Sequence, residues 1–315
     1  MKKLYCVALS IFLLMLSGPS VAAVSCPPAL VTPTPEMIQN GMSNARDHGF
    51  LWRISKDGRV SYLYGTIHLA RFDWMFPGKQ VMQAIRATDT IALELDMLDK
   101  NIQADMAKGM AKLHSKALPA VLVKRMRKQA ELNCILYDSI ASLIPEFQVV
   151  ALTMTVGRKV GLESGYAIDA VLAGIGHKAK RNMVSLESAE LQISALQMKN
   201  TSDMLAFVEN SLIDLETDRS LKMLDRIAKY WDEANYTEME RFNEWCDCLN
   251  TEIERVMMKR LLDDRNPAMA LKIDALHASG KQVFAAVGSL HMFGPLGLPT
   301  LMAQRGYQVE KLNFE

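Results

Sequence analysis

One pattern occurs twice in the chain, more than two hundred residues apart, and it restricts the fold more than any other feature. An apolar, partly β-branched or aromatic run (residues 60–64, then 283–287) stops at a glycine, and a histidine follows three residues later: Gly65-Thr66-Ile67-His68 and Gly288-Ser289-Leu290-His291. Such a run ending at glycine reads as a strand entering a tight loop. Each loop leads into a short helical pattern and a further strand, residues 80–87 then 90–95 in the first copy, and 298–304 then 307–312 in the second. In the second copy Gly306 marks the helix stop. Two β-loop-α-β units predict an α/β fold whose central sheet holds both units side by side. Parallel strands joined through a helix cross right-handedly, and ligands in such sheets sit beyond the strands' carboxyl ends, where both histidines fall.

The remaining segments organise around that sheet. Residues 50–54 and 59–64 form a hairpin with Asp57-Gly58 as its turn. Residues 166–178 read as a helix, and residues 183–187 as a strand that carries Glu187 to its carboxyl end. Residues 98–157 and 188–262 read as helices, with Pro119 and Pro145 suited to first turns, Gly157 to a stop and Thr201-Ser202 to a cap. Asn266-Pro267 starts a further helix that Gly280 ends. The expected organisation is therefore an irregular Pro-rich arm over residues 24–48 and a single α/β domain over residues 49–315, with a large helical lobe from about 98–157 and 188–262.

Residues 1–23 stand apart. Lys2-Lys3, an apolar run over residues 4–16, a Gly18-Pro19 break and Val21-Ala22-Ala23 have the order of a secretory signal peptide. No later segment reaches about 18 uninterrupted apolar residues, so no transmembrane helix is expected. The expectation is an exported, periplasmic protein. Ala23-Val24-Ser25-Cys26 departs from a lipoprotein box in having alanine where a leucine-like residue belongs, so lipid anchoring at Cys26 is the less favoured alternative, with secretion. Removing the leader takes the formal charge from +1 to −1 and leaves no basic block, which argues against nucleic acid as a partner. Oligomeric state is not legible.

Four cysteines follow the leader, a number that permits disulfides in an oxidising compartment. Cys246-Asp247-Cys248 falls in a helical pattern, where residues two apart point to opposite faces; pairing with Cys26 or Cys134, or free thiols, is expected in preference to a mutual bond or a zinc site. The 21 methionines fall mostly in the helical segments and read as core filling, with an adaptable apolar groove as the other reading.

Chemistry converges on a few residues. His68 and His291 each read as a structural loop histidine, the commoner case for a short motif, or as a ligand, and their pairing in equivalent settings adds weight to the second. Glu94 interrupts the apolar run at residues 91–95 and has two readings, an exposed strand end or a buried carboxylate; burying a carboxylate alone is costly, so the second implies a cation, either a metal or the guanidinium of Arg265. Arg265 has two readings, a salt bridge to Glu94, Asp169 or Glu187, or a fork for a substrate carboxylate or a developing oxyanion. His48, His114, His177 and His277 have no such setting; His114 and His277 lie on polar stretches. No Gly-rich phosphate loop, HExxH helix, GxSxG elbow or CxxC pair is present.

Taken with Asp264-Arg265-Asn266, with the segment GLESGYAIDAVLAGIGHKAKRNMVSLESAEL at residues 161–191 and with the closing VGSLHMFGPLGLPTLMAQRGYQVEKL, the paired GxxH loops make the chain resemble the TraB/GumN family. That family is similar to the TIKI proteases, in which paired GxxH histidines and an acidic residue hold a divalent cation for peptide-bond hydrolysis. It is more distantly similar to erythromycin-esterase-like and haem-binding ChaN-like proteins. The resemblance implies His68, His291 and Glu94 as ligands of a divalent metal (zinc, manganese or cobalt), with Glu94 and Arg265 as catalytic groups and Asp169, Glu187 and Asn266 as neighbours. A two-His, one-carboxylate site with an open position suits activation of a water toward a carbonyl. The function so implied is an exported metal-dependent hydrolase, a peptidase before other classes, acting on a peptide or small molecule. The alternative is a non-catalytic envelope protein that sequesters a peptide signal or haem in the same crevice.

Overall fold

Strands β1 (Phe50–Lys56) and β2 (Arg59–Thr66) form the expected hairpin. Asp57 and Gly58 between them both have positive φ, 53° and 72°, as a two-residue turn matched to the strand twist requires. The structure is a computed structural model that describes residues 26–27, 30 and 32–314. The expected signal peptide lies outside the described residues.

With β3 (Thr90–Leu93), β4 (Asn182–Ser185), β5 (Val283–Gly288) and β6 (Gln308–Leu312), the hairpin builds one six-stranded sheet of order β4-β3-β5-β2-β1-β6. β1 is antiparallel to both its neighbours, and the β4-β3-β5-β2 block is parallel throughout. The two β-loop-α-β units share the sheet, as expected, but they interleave. The first unit crosses from β2 to β3 through α2 (Lys79–Arg86) and leaves a gap one strand wide, which β5 of the second unit fills by pairing with both. The second unit passes through α14 (Leu298–Gln304) to the far edge at β6. The pairing Thr66↔Gly288 sets the ends of β2 and β5 level, so the two GxxH loops leave the sheet side by side.

Helices cover both faces. Tyr62, Phe284, Ile91 and Met183 are register partners and share one face, where α6 (Ile168–Lys178) packs so closely that a side chain at Gly176 would run into Met183 and Ile91. Ser61 belongs to the other face and bonds Nδ1 of His277 at 2.9 Å from α13 (Asn266–Ala278). His277 is thus buried, unlike its expected polar setting, because Ser61 and the Lys56 carbonyl at 3.0 Å satisfy both ring nitrogens.

The helical segments comprise α3 (Lys100–Ala111), α4 (Ala120–Leu132), α5 (Pro145–Val156), α7 (Ala189–Leu196), α8 (Thr201–Glu216), α9 (Arg219–Asp232), α10 (Tyr236–Glu240), α11 (Phe242–Trp245) and α12 (Glu252–Met258). Met126, Leu152, Met204, Val208 and Leu212 form a core distinct from that of the sheet, so part of the methionine is packing. Trp231 of α9 ties this lobe to the sheet by donating from Nε1 to the Gly65 carbonyl at 2.8 Å, at the root of the first GxxH loop.

Several local expectations are corrected. The arm is not wholly irregular, because Thr34 caps and Pro35 opens α1 (Pro35–Ser43). Gly157 does end α5 as its C-cap, but a 3-10 turn (Gly157–Val160) follows and the left-handed stop comes only at Gly161, φ 77°. Asn200, whose side chain accepts from the Asp203 N–H at 2.8 Å, caps α8 in place of Thr201. Cys246 and Cys248 are bonded to each other, contrary to the helical reading, because α11 ends at Trp245 and the next residues turn; Cys26 pairs with Cys134. Among the described residues no helix is long and apolar enough to cross a membrane.

Candidate functional site

The parallel block delivers its polar groups to one edge. Glu94 follows β3 directly, and Glu187 lies two residues past β4; the ladder continues between them, the Glu187 N–H donating to the Glu94 carbonyl at 3.0 Å. His68 lies in the loop after β2, and His291 in the 3-10 turn Ser289–Met292 after β5. Four neighbouring strands therefore present two carboxylates and two imidazoles to one crevice.

Each imidazole is tethered through Nδ1 and points Nε2 inward. His68 Nδ1 bonds Oδ1 of Asp169, in the first turn of α6, at 3.0 Å, and the Ile168 N–H fixes that turn by donating to the Ile67 carbonyl at 3.0 Å. His291 Nδ1 bonds Asn266 Oδ1 at 2.6 Å; the Asn266 amide donates to the Leu296 carbonyl at 2.8 Å, which sets its oxygen toward the ring. Asn266 was expected to cap α13 and instead orients a histidine. Both Nε2 atoms stand 3.9 Å from the same atom, Glu94 Oε1.

Glu94 is held from several sides. Oε1 accepts from the Gly288 N–H at 2.7 Å, and Oε2 accepts from Arg265 Nη2 at 2.6 Å and from Gln192 Nε2 at 3.1 Å. Arg265 also donates from Nε to Glu187 Oε1 at 2.8 Å, from Nη2 to the other Glu187 oxygen, and from Nη1 to the Leu261 carbonyl at 2.8 Å. The salt-bridge reading of Arg265 is thus the one its contacts display, to Glu94 and Glu187 and not to Asp169. Gly288 matters for space, since a Cβ there would lie 3.3 Å from Glu94 Oε1 and 3.4 Å from His68 Nε2, within the gap between the three groups. Neither motif glycine has positive φ, so close approach, not a sharp turn, explains both.

These contacts set the charges. Burial acts to raise the Glu94 carboxyl, but His291, His68, Arg265 and the Gly288 N–H outweigh it and lower the group to about 2. Burial of His291 holds its imidazole down at about 4, so it is neutral at pH 7. For His68 burial again opposes the charge, but the Asp169 hydrogen bond and the nearby carboxylates hold it up at about 9. Burial also opposes the charge on Arg265, and its bonds to Glu187 and Glu94 more than offset that and raise it.

As a donor set these groups suit a divalent cation. Two ligands of one metal at about 2.0–2.2 Å lie at most about 4.4 Å apart, so 3.9 Å falls within reach, and nitrogens tethered through the other ring atom to a carboxylate or amide are oriented as metal ligands are. The set is not closed as it stands: among the described residues no three His, Cys, Asp or Glu side chains group tightly enough to hold an ion. Binding requires His68 to lose a proton and the side chains to draw in.

A sequence model of the TraB/PrgY/gumN family matches residues 50–311, a span that includes every group just described. The chain belongs to this family. It is 24% identical over 245 residues to the uncharacterized protein YbaP of Escherichia coli (strain K12) and to that of Shigella flexneri, a region covering 78% of this chain and 88% of either relative. No solved structure matches significantly.

Within this TraB-family site, His68, Glu94, His291, Arg265, Asp169, Glu187 and Asn266 all gather, the last four as partners of the first three. His48, stacked on Trp231 at 5.6 Å, and His177, bonded to Asp96 Oδ2 at 2.7 Å, belong to other contacts. Gln192 went unforeseen. It bridges Glu94 and Glu187 at 3.1 Å each, yet a glutamine on an amphipathic helix carries no sequence signal that separates it from a solvated face.

Proposed function

We propose that the protein is an exported metal-dependent hydrolase, a peptidase before other classes, with His68, His291 and Glu94 holding the cation. One observation carries this reading, the convergence of two Nδ1-tethered imidazoles on a single carboxylate oxygen at 3.9 Å. The cation, when bound, supplies a Lewis acid that polarises a carbonyl and activates water at neutral pH. Glu94, lowered to about 2, is too weak a base to carry protons near neutrality, so its part is to supply charge to the cation. Arg265, Gln192 and the Gly288 N–H fix the orientation of that carboxylate, and Asp169 and Asn266 hold the histidine Nδ1 atoms so that each Nε2 faces inward. His291 is buried whereas His68 is about half exposed, so substrate reaches the centre from the His68 side. Leu69, Leu162, Ile227 and Leu262 wall the adjoining cavity of about 270 Å³ and keep water from the apolar part of a substrate. The test is cleavage of a peptide library by purified protein supplied in turn with zinc, manganese or cobalt. Cleavage that chelation abolishes and metal restores is expected; none with any of the three ions overturns the catalytic reading.

The second reading, a non-catalytic binder, is favoured by one contact: Arg265 already gives Glu94 a cationic partner, shared with Glu187, so the carboxylate is paired without a metal. Peptide retained intact by the protein in the same assay supports it.

A further inference from the structure

A second cavity of about 280 Å³ lies in the helical lobe beside the one that carries His68, Glu94 and His291. The two share three wall residues, Met154, Leu224 and Leu261, so a partition one side chain thick separates them. An apolar cavity of roughly 150 Å³ already admits benzene. Val150, Phe207, Met223, Ile253 and Met257 line the second cavity, and its charged residues are Asp214, Asp247 and Glu254 against Arg219 alone. Burial raises the Asp214 carboxyl to about 6 against the pull of Arg219, with Glu254 and Asp247 adding to the rise, so positive charge is short there.

The partition is built of adaptable parts. Met154 is unbranched and adapts its shape, and Leu261 sits in a π-helical turn (Lys259–Asp263), a local irregularity that recurs at functional sites. It also selects what passes. Methionine and leucine side chains offer no strong hydrogen-bond partner to the amides of a peptide threaded between them, so buried backbone groups would go unsatisfied, whereas methylenes lose nothing.

We propose that the lobe cavity is a tail subsite of the site that holds His68 and Glu94. It takes an unbranched alkyl or acyl chain whose polar, cleavable end stays at the histidines and whose far end is uncharged or cationic. This rests on the reading of that site given above and adds a substrate class to it, an apolar chain in ester or amide linkage. Four observations support it: the shared walls, the apolar lining, the junction without hydrogen-bonding side chains and the excess of carboxylates.

The test measures equilibrium binding of N-alkyl dansylamides to the full metal-free chain by fluorescence, which requires no turnover. Each methylene buried should tighten binding about fourfold, and the dodecyl probe should bind at least a hundredfold more tightly than the butyl probe. A dodecyl probe ending in an ammonium should bind at least tenfold more tightly than one ending in a carboxylate. Met223→Trp, which fills only the lobe cavity, should weaken the dodecyl probe at least tenfold. Affinity independent of chain length, equal affinity for the two charged ends, or undiminished dodecyl binding by a folded Met223→Trp protein would each overturn the proposal. The first two comparisons use the unmodified chain and stand if that variant does not fold. A chain that binds these probes by length but cleaves nothing contradicts the hydrolase reading and leaves the subsite intact; one that cleaves but shows no length dependence does the reverse.

Discussion

Glu94 connects every other group in the site, and its contacts set how the protein responds to pH. In metal-free protein its carboxyl, lowered to about 2, contributes stability that is complete above its ordinary 4.5 and lost as the pH falls through 2. His291, lowered from 6.5 to about 4, contributes stability present above 6.5 and lost as the pH falls through 4. His68, raised from 6.5 to about 9, acts in the opposite sense, with stability present below 6.5 and lost as the pH rises through 9. Denaturant midpoints measured in chelator across the pH range should therefore peak near 6.5, and His68→Asn should flatten the alkaline limb and also reduce the part of the acid limb that Glu94 owes to His68. The partners that hold each Nδ1 are testable separately. Asn266→Ala frees the His291 ring and should weaken metal binding roughly 10- to 100-fold by isothermal titration, without loss of the sheet. The sequence marked Asn266 as a helix cap, and that reading missed its task because capping and ring orientation require the same short amide.

At the scale of elements, the glycines discriminate between turn and approach. Gly161 is left-handed at φ 77° with open space where a side chain would go, so Gly161→Ala should cost roughly 1–2 kcal/mol of stability from backbone strain, measured by urea denaturation. Gly288→Ala differs, because its backbone is ordinary and its Cβ would enter the gap among Glu94, His68 and His291. That variant should melt near the wild-type temperature yet lose most of its metal affinity; retained affinity would show that the gap is not the ion's position. The strands, both GxxH loops and the helices of the two units were legible because alternating or continuous apolar runs ending at glycine have few other solutions. Interleaving of the units was not legible, since strand order depends on which crossover leaves room for β5, and local pattern carries no information on that. The bond between Cys246 and Cys248 was missed for a related reason: a helical period was extended over a segment that turns once α11 ends at Trp245.

Across the whole molecule, two cores meet, with Leu224 packed against both, and polar bonds help to set how the helices sit over the crevice. Trp231 Nε1 on the Gly65 carbonyl is one, and Arg265, which reaches both strand-end carboxylates from the start of α13, is another. The Cys26–Cys134 bond secures the N-terminal arm to the end of α4 across a separation of 108 residues, so replacing both cysteines with serine should lower stability by roughly 2–4 kcal/mol. The site should keep its metal in that variant, because neither cysteine touches the crevice. The central claim is that His68, His291 and Glu94 share one cation, and elemental analysis after equilibration with zinc, manganese or cobalt and extensive dialysis tests it most directly. The account predicts one ion per chain for the wild type, and a loss to background in folded His68→Ala, His291→Ala and Glu94→Gln proteins. Equal metal content in wild type and all three variants, or none in the wild type with any of the three ions, would contradict it.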